Sequence, residues 1–300
     1  MVSPAQKQLW TIKSALEWTC GYLDRHGDEH PRLSAEWLLC DATGFSRVEV
    51  YMNYDRPLNK DELAKLHVGV ERRGKGEPLQ YITGEMPFRH LILKCAPGVL
   101  IPRPETEILV DQVLNYLDTL PEDVQTPRVL EIGTGTGCIA CSIASEREGV
   151  QVVATDISPK AYALAERNRN VLNLQDRVTL HQCNLADDVE DAGSGVYDVL
   201  VSNPPYIPSG LLKKLPHEVS DFEPELALDG GEDGLDVFRK IVDIAVTALK
   251  PGGLLACELH EDCLEAAAAE ELVVQYFDHI EIVQDLTHRN RILCACRKEA

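Results

Sequence analysis

Val129-Leu130-Glu131-Ile132-Gly133-Thr134-Gly135-Thr136-Gly137 is the stretch from which the fold can be read. A short apolar run halted by glycines reads as a buried strand. The next residues change period, and Ile139 to Glu146 reads as a helix. Gln151-Val152-Val153-Ala154-Thr155 is a second strand, and Asp156 closes it, 19 residues after Gly137. Strand, glycine turn, helix and strand make a βαβ unit. A carboxylate at the end of its second strand stands where the two hydroxyls of an adenosine ribose can be bound. A cluster of purely structural turn glycines is the plain alternative.

Working outward, the alternation continues. Arg177 to Leu180, Val196 to Val201 and Leu254 to Glu258 read as strands, as do segments near 279–284 and 291–296. Helices are expected over Ser158 to about Leu172, Leu235 to Leu249 and 262–276. Near-continuous apolar strands alternating with helices specify an α/β protein with a doubly wound, mostly parallel sheet, here of seven strands.

Upstream, residues 5–80 read as helical. Leu9, Ile12, Leu16, Cys20 and Leu23 recur at three- and four-residue steps. Trp37-Leu38-Leu39 marks a second helix ended by Gly44. Leu63, Leu66 and Val70 mark another that stops near Gly74. Short apolar runs among Gly84, Pro87, Pro97, Gly98 and Pro102 suggest a hairpin, and a helix is expected from about Pro104. The division is therefore 1–83, a helical domain; 84–103, a β-hairpin linker; and 104–300, the ligand-binding domain.

Of 300 residues, 29 are Lys or Arg and 49 Asp or Glu, formally −20. Residues 1–84 hold 11 basic and 12 acidic side chains, whereas 85–300 hold 18 basic and 37 acidic. That balance argues against a protein that lives on nucleic-acid phosphates. Met1 to Trp10 has no apolar leader segment and no run is long enough to span a membrane, so a cytoplasmic protein without membrane contact is expected. The ten cysteines lie in apolar runs, as reduced core thiols do. Cys138 and Cys141 have C-x-x-C spacing, but no second ligand pair accompanies them, so no metal is expected.

The G-x-G-x-G spacing does not by itself choose between a dinucleotide and S-adenosylmethionine. A pyrophosphate prefers G-x-G-x-x-G. S-adenosylmethionine carries no phosphate and ends in an ammonium, which an acid such as Glu131 suits. A strand-end carboxylate in solvent is the bland reading of Glu131. Asn203-Pro204-Pro205-Tyr206, at the end of the fourth strand, lies on the edge where ligands bind. An amide or aromatic amine is a poor nucleophile because its lone pair is delocalised. The Asn203 side-chain oxygen and the Pro204 carbonyl can accept both of its N–H bonds and turn the lone pair toward a methyl donor. Tyr206 offers a ring face for a flat target. Positioning alone can supply about 7–11 kcal/mol of catalysis.

Gly76 to Glu85, Pro97 to Glu107, Glu131 to Gly137, Asn203 to Tyr206, Phe222-Glu223-Pro224 and Arg289-Asn290-Arg291 together closely resemble the HemK/PrmC family, the glutamine N5-methyltransferases of peptide chain release factors. The resemblance implies a Rossmann-like class I methyltransferase fold behind a helical substrate-recognition domain. It implies S-adenosylmethionine bound by Glu131, Gly133, Thr134, Gly135, Thr136, Gly137, Asp156, Asn184, Leu185 and Asn203. It implies a glutamine held by Asn203, Pro204, Pro205 and Tyr206, with Asn203, Pro204 and Tyr206 the catalytic group. The partner it implies is a release factor met by a monomer. Several places depart from the family pattern. Asn184 and Leu185 stand where it often has an acid and then an aromatic, Phe88-Arg89-His90 replaces an aromatic-glycine turn, and His288 a glycine.

Two other targets share the tetrapeptide, a glutamine of a ribosomal protein and a nucleic-acid adenine. The adenine reading asks for a basic groove, yet residues 216–237 hold eight acids and no Lys or Arg. That acidic stretch is expected to attract a basic region of the protein substrate.

Overall fold

A computed structural model describes residues 9–268 and 270–299. Residues 1–8, 269 and 300 lie outside the described residues; they include most of the stretch read as lacking a leader and one residue of the helix expected over 262–276. Backbone contacts divide the chain into two units, Met1–Glu85 and Met86–Ala300.

The first unit is helical: α1 (Ile12–Arg25), α2 (Pro31–Thr43), α3 (Arg47–Met52), α4 (Lys60–Arg73) and α5 (Leu79–Thr83). Reciprocal capping boxes start three of them, Thr11 with Ser14, Ser46 with Glu49 and Asn59 with Glu62. Ile12, Leu16, Leu23, Leu38, Leu39, Leu66 and Val70 form its core. Leu9, expected on the face of α1, precedes the helix and is exposed. The short helices α3 and α5 are too brief for periodicity to reveal.

A two-stranded hairpin follows, β1 (Glu85–Phe88) and β2 (Leu91–Lys94), which from Met86 onward belongs to the second unit. Phe88 and Leu93 are fully buried in the core of this unit, so the hairpin is part of its packing. Helix α6 (Thr106–Thr119) begins two residues later than the proline signal suggests. The amides of Thr106, Glu107 and Ile108 bond to the carbonyls three residues back, a tighter turn that precedes the helix.

The remaining elements are β3 (Arg128–Ile132), α7 (Cys138–Glu146), β4 (Gln151–Asp156), α8 (Pro159–Val171), β5 (Val178–Gln182), β6 (Tyr197–Ser202), α9 (His217–Ser220), α10 (Asp236–Ala248), β7 (Leu249–Glu258), α11 (Leu264–Ala268), α12 (Glu271–Tyr276), β8 (Phe277–Gln284) and β9 (Asn290–Arg297). The single helix expected over 262–276 is broken. Glu270 has extended backbone and caps α12, and its carboxylate pairs with Arg239 of α10.

The seven strands run in the order β5-β4-β3-β6-β7-β9-β8, parallel except at β9. The order reverses between β3 and β6, the switch point at which open α/β sheets bind ligands. Register aligns the strand ends there: Ile132 pairs with Thr155 on one side and Ser202 on the other, and Ser202 pairs with Cys257. Asp156, Asn203 and Glu258 therefore leave the sheet along one edge. Among the described residues no helix is long and apolar enough to cross a membrane.

Candidate active site

Two cavities open on this edge. The larger, about 240 Å³, is lined by Gly133 and Gly135, by Asp156, by Asn184 and Leu185, and by Asn203 to Pro205. Asp156 shapes its glycine wall. One carboxylate oxygen accepts the Gly135 amide at 2.8 Å and the other the Ser158 amide at 2.9 Å. Burial pushes the Asp156 carboxyl above its ordinary range. Gly133 and Gly135 have φ of +77° and +58°, and a Cβ on either would meet nothing within 4 Å. The backbone there is bare toward the cavity, and a ligand can lie against it.

Glu131, Thr134, Thr136 and Gly137 stand behind that wall. Glu131 is fully buried, which excludes a solvated strand-end carboxylate. Its Oε2 accepts from the Thr134 hydroxyl at 2.8 Å and the Ala140 amide at 3.1 Å. Its Oε1 has no hydrogen-bond partner, and burial raises the carboxyl to about 8. Gly137 begins α7, and a Cβ there would press on Ala165 of α8 at 3.4 Å, so its bareness lets the two helices approach. Cys138 and Cys141 are buried in α7, where burial raises both thiols. All ten cysteines are free thiols.

The second cavity, about 180 Å³, is lined by Leu100, Arg103, Asn203, Tyr206, Leu215 and Val219 among others. Asn203 thus lines both cavities. Its side-chain amide donates to the Thr106 hydroxyl at 3.1 Å, and that hydroxyl donates to Oε2 of Glu258 at 2.7 Å. The Tyr206 hydroxyl donates to Oε1 of Glu258 at 3.2 Å. Tyr206 is half-buried with its hydroxyl engaged, and burial beside Glu258 raises the phenol well above its ordinary value.

The tetrapeptide is braced from behind. The Ile207 amide donates to the Leu228 carbonyl and the Ile207 carbonyl accepts from the Gly230 amide, and a Cβ on Gly234 would press against the Tyr206 carbonyl. On the cavity rim Arg103 donates to the buried carboxylate of Glu223 at 2.5 Å, and burial lifts that carboxyl to about 7.

Sequence reasoning missed Thr106, Glu258 and Arg103 as functional residues. One signal was present. Glu258 ends the apolar run Leu254-Leu255-Ala256-Cys257 as Glu131 interrupts Val129-Leu130-Ile132, a carboxylate in a buried strand at the ligand edge. The acidic stretch 216–237 is partly spent inside the unit. Asp221 pairs with His217, Glu223 with Arg103, and Asp233 and Asp236 with Arg239.

Comparison with known proteins bears directly on this arrangement. Residues 14–84 match the PrmC N-terminal domain and residues 110–214 the methyltransferase small domain. The release factor glutamine methyltransferase of Geobacter sulfurreducens is 46% identical over 252 residues, 84% of this chain and 85% of its own length. This chain belongs to the release factor glutamine methyltransferase family. The family's Rhodopirellula baltica member is 37% identical over 286 residues, 95% of each chain. Among solved structures, the hMettl16 catalytic domain in complex with a MAT2A 3'UTR hairpin superposes with a TM-score of 0.54 at 17% identity, covering 81% of this chain and 84% of that one. That likeness establishes the class I methyltransferase fold.

Proposed function

We propose that this chain methylates the side-chain amide nitrogen, N5, of the glutamine in the Gly-Gly-Gln loop of class 1 peptide chain release factors, with S-adenosylmethionine as the methyl donor. One observation carries the reading: Asn203 lies on the wall common to both cavities.

The larger cavity fits the methyl donor. Gly133 and Gly135 leave the wall bare, and Asp156 retains lone pairs for ribose hydroxyls. Asn184 and Leu185 lie where an adenine edge and face are met. The unpartnered Oε1 of Glu131 suits an ammonium, met directly or through water. When bound, S-adenosylmethionine supplies an electrophilic methyl group on a sulfonium.

The chain's own residues do the rest. The Asn203 oxygen and the Pro204 carbonyl accept the two N–H bonds of the target amide and turn its lone pair toward the larger cavity. Pro205 and Tyr206 close the walls around the amide plane. No base is needed beforehand, because the nitrogen sheds its proton to solvent once the carbon–nitrogen bond forms as the carbon–sulfur bond breaks. The chain acts as a monomer. The helical unit is the substrate-recognition domain, the reaction runs in the cytoplasm, and the acids of 216–237 not engaged internally draw a basic face of the release factor.

Purified protein with labelled S-adenosylmethionine, offered release factor, ribosomal protein and DNA separately, tests the reading. Label is expected in the release-factor glutamine, located by peptide mass spectrometry. Label in DNA alone overturns it.

A further inference from the structure

We propose that Thr106 and Glu258 are positioning residues that hold the Asn203 carboxamide with its oxygen presented to the substrate, an inference that rests on the reading of Asn203 as acceptor for the glutamine amide. A side-chain amide has an acceptor end and a donor end of nearly equal shape, and packing alone does not choose between them. Choosing is essential here. The target amide offers two N–H donors, so an Asn203 turned the other way would set its own N–H groups against them.

The hydrogen-bond chain makes the choice. Thr106 and Glu258 are each 1% exposed, so water does not compete for their bonds. An ionised carboxylate only accepts, so it claims the single hydroxyl proton of Thr106. The Thr106 oxygen can then only accept from its other neighbour. That neighbour must present its NH2 group, and Asn203 does so at 3.1 Å. The Asn203 oxygen is thereby directed away from Thr106. The second oxygen of Glu258 holds the Tyr206 hydroxyl, so one carboxylate ties the first and last residues of the tetrapeptide.

These contacts join residues 97, 152 and 52 positions apart in sequence. They also give the lock a proton switch. Thr106 of α6 and Glu105 just before it, Tyr206, Arg291 of β9 and the protonated Cys138 thiol of α7 face Glu258. Burial raises its carboxyl to about 7, with Glu105 adding to the rise and Thr106, Tyr206 and Arg291 opposing it. A protonated Glu258 can donate to Thr106, whose own proton then turns to Asn203 and lets the carboxamide flip. Turnover at saturating cofactor should therefore fall as pH drops through about 7.

Wild type, Thr106→Val, Thr106→Ser and Glu258→Gln are compared as full chains with intact release factor, and S-adenosylmethionine affinity and Tm are recorded alongside. Valine matches threonine in shape but cannot take part in the chain. Its kcat is expected to fall about 10- to 100-fold, with cofactor affinity near wild type and Tm lowered by several degrees, because the buried Glu258 oxygen loses its donor. Serine restores kcat to within about threefold, since it keeps the hydroxyl on which the lock depends. Glu258→Gln turns one acceptor oxygen into a donor, so Thr106 or Tyr206 loses its acceptor; an intermediate kcat without the acid limb is expected. Active wild type with an equally active Thr106→Val, or serine no better than valine, overturns the lock alone. Wild type that transfers no methyl to release factor overturns the functional reading and the lock with it.

Discussion

The two walls that meet at Asn203 are built by opposite means. The cofactor-side wall is made by leaving side chains out: two bare glycines, shaped by backbone amides bonded to the neighbouring Asp156. The substrate-side wall is made by side chains reaching across the fold, from α6, β6 and β7, to a buried carboxylate. A wall of omission tolerates whatever lies behind it and fails when something is added. A wall of reach fails when any distant member is removed. The two should accordingly break differently, one in affinity and the other in turnover.

The largest effect is expected at Asn203, which lines both cavities together with Leu100 and Ala227. Asn203→Ala should lower kcat by on the order of 10³, with cofactor affinity changed only a few-fold; a loss confined to cofactor binding would assign Asn203 to the other wall. Gly135→Val adds a branched side chain at φ +58°. It should weaken S-adenosylmethionine binding about 10- to 100-fold, since the left-handed backbone alone costs about 1–2 kcal/mol and the side chain enters the cavity. Calorimetry reads the affinity, and kcat at saturation should hold. Gly234→Ala pushes a Cβ toward the Tyr206 carbonyl. A destabilisation of about 1–3 kcal/mol is expected, read by denaturant titration, with turnover reduced and cofactor binding retained.

A different kind of effect concerns pH. Glu131, Glu223 and Glu258 are raised to about 8, 7 and 7, above the ordinary 4.5 of a glutamate. Between those limits the folded chain binds more protons than the unfolded one. Stability of the second unit should therefore decline as pH rises from about 5 to 8, each group contributing at most about 1.4 kcal/mol per pH unit. Denaturant unfolding at four pH values checks the sign. Cofactor should flatten the decline if Glu131 pairs with its ammonium.

The same contrast explains what could be read from the chain before its fold was seen. The cofactor wall is local: strand, glycines, helix and Asp156 lie within 28 residues, and Val129 to Asp156 disclose the sheet and its ligand edge together. Asn203 to Tyr206 announce themselves as a tetrapeptide at a strand end. Their supports do not, because Thr106 and Glu258 become neighbours only when α6 packs beside β7. Within the glycine loop the structure separates positions that local pattern treats alike: Gly133 and Gly135 line the larger cavity, whereas a Cβ on Gly137 would press on Ala165 of α8 and Thr134 and Thr136 are buried. The start of α6 and the break between α11 and α12 depart from local pattern for a related reason. A tight turn and the pairing of Glu270 with Arg239 overrule propensity.

Arg89, Leu185 and His288, three of the positions where the resemblance leads one to expect another residue, all lie in left-handed backbone, at φ of +49°, +50° and +63°. At Arg89 the cause of tolerance is visible. Its guanidinium, 10% exposed, is bidentate to Glu146 and also reaches Asp111 and the Glu107 carbonyl, while its amide donates to Glu107 Oε1. A bend that glycine would adopt freely is here riveted by charge. The turn is held by electrostatics where backbone freedom would otherwise serve, and because the guanidinium and Glu146 are largely buried, salt should loosen this corner little while loss of either charge should loosen it much.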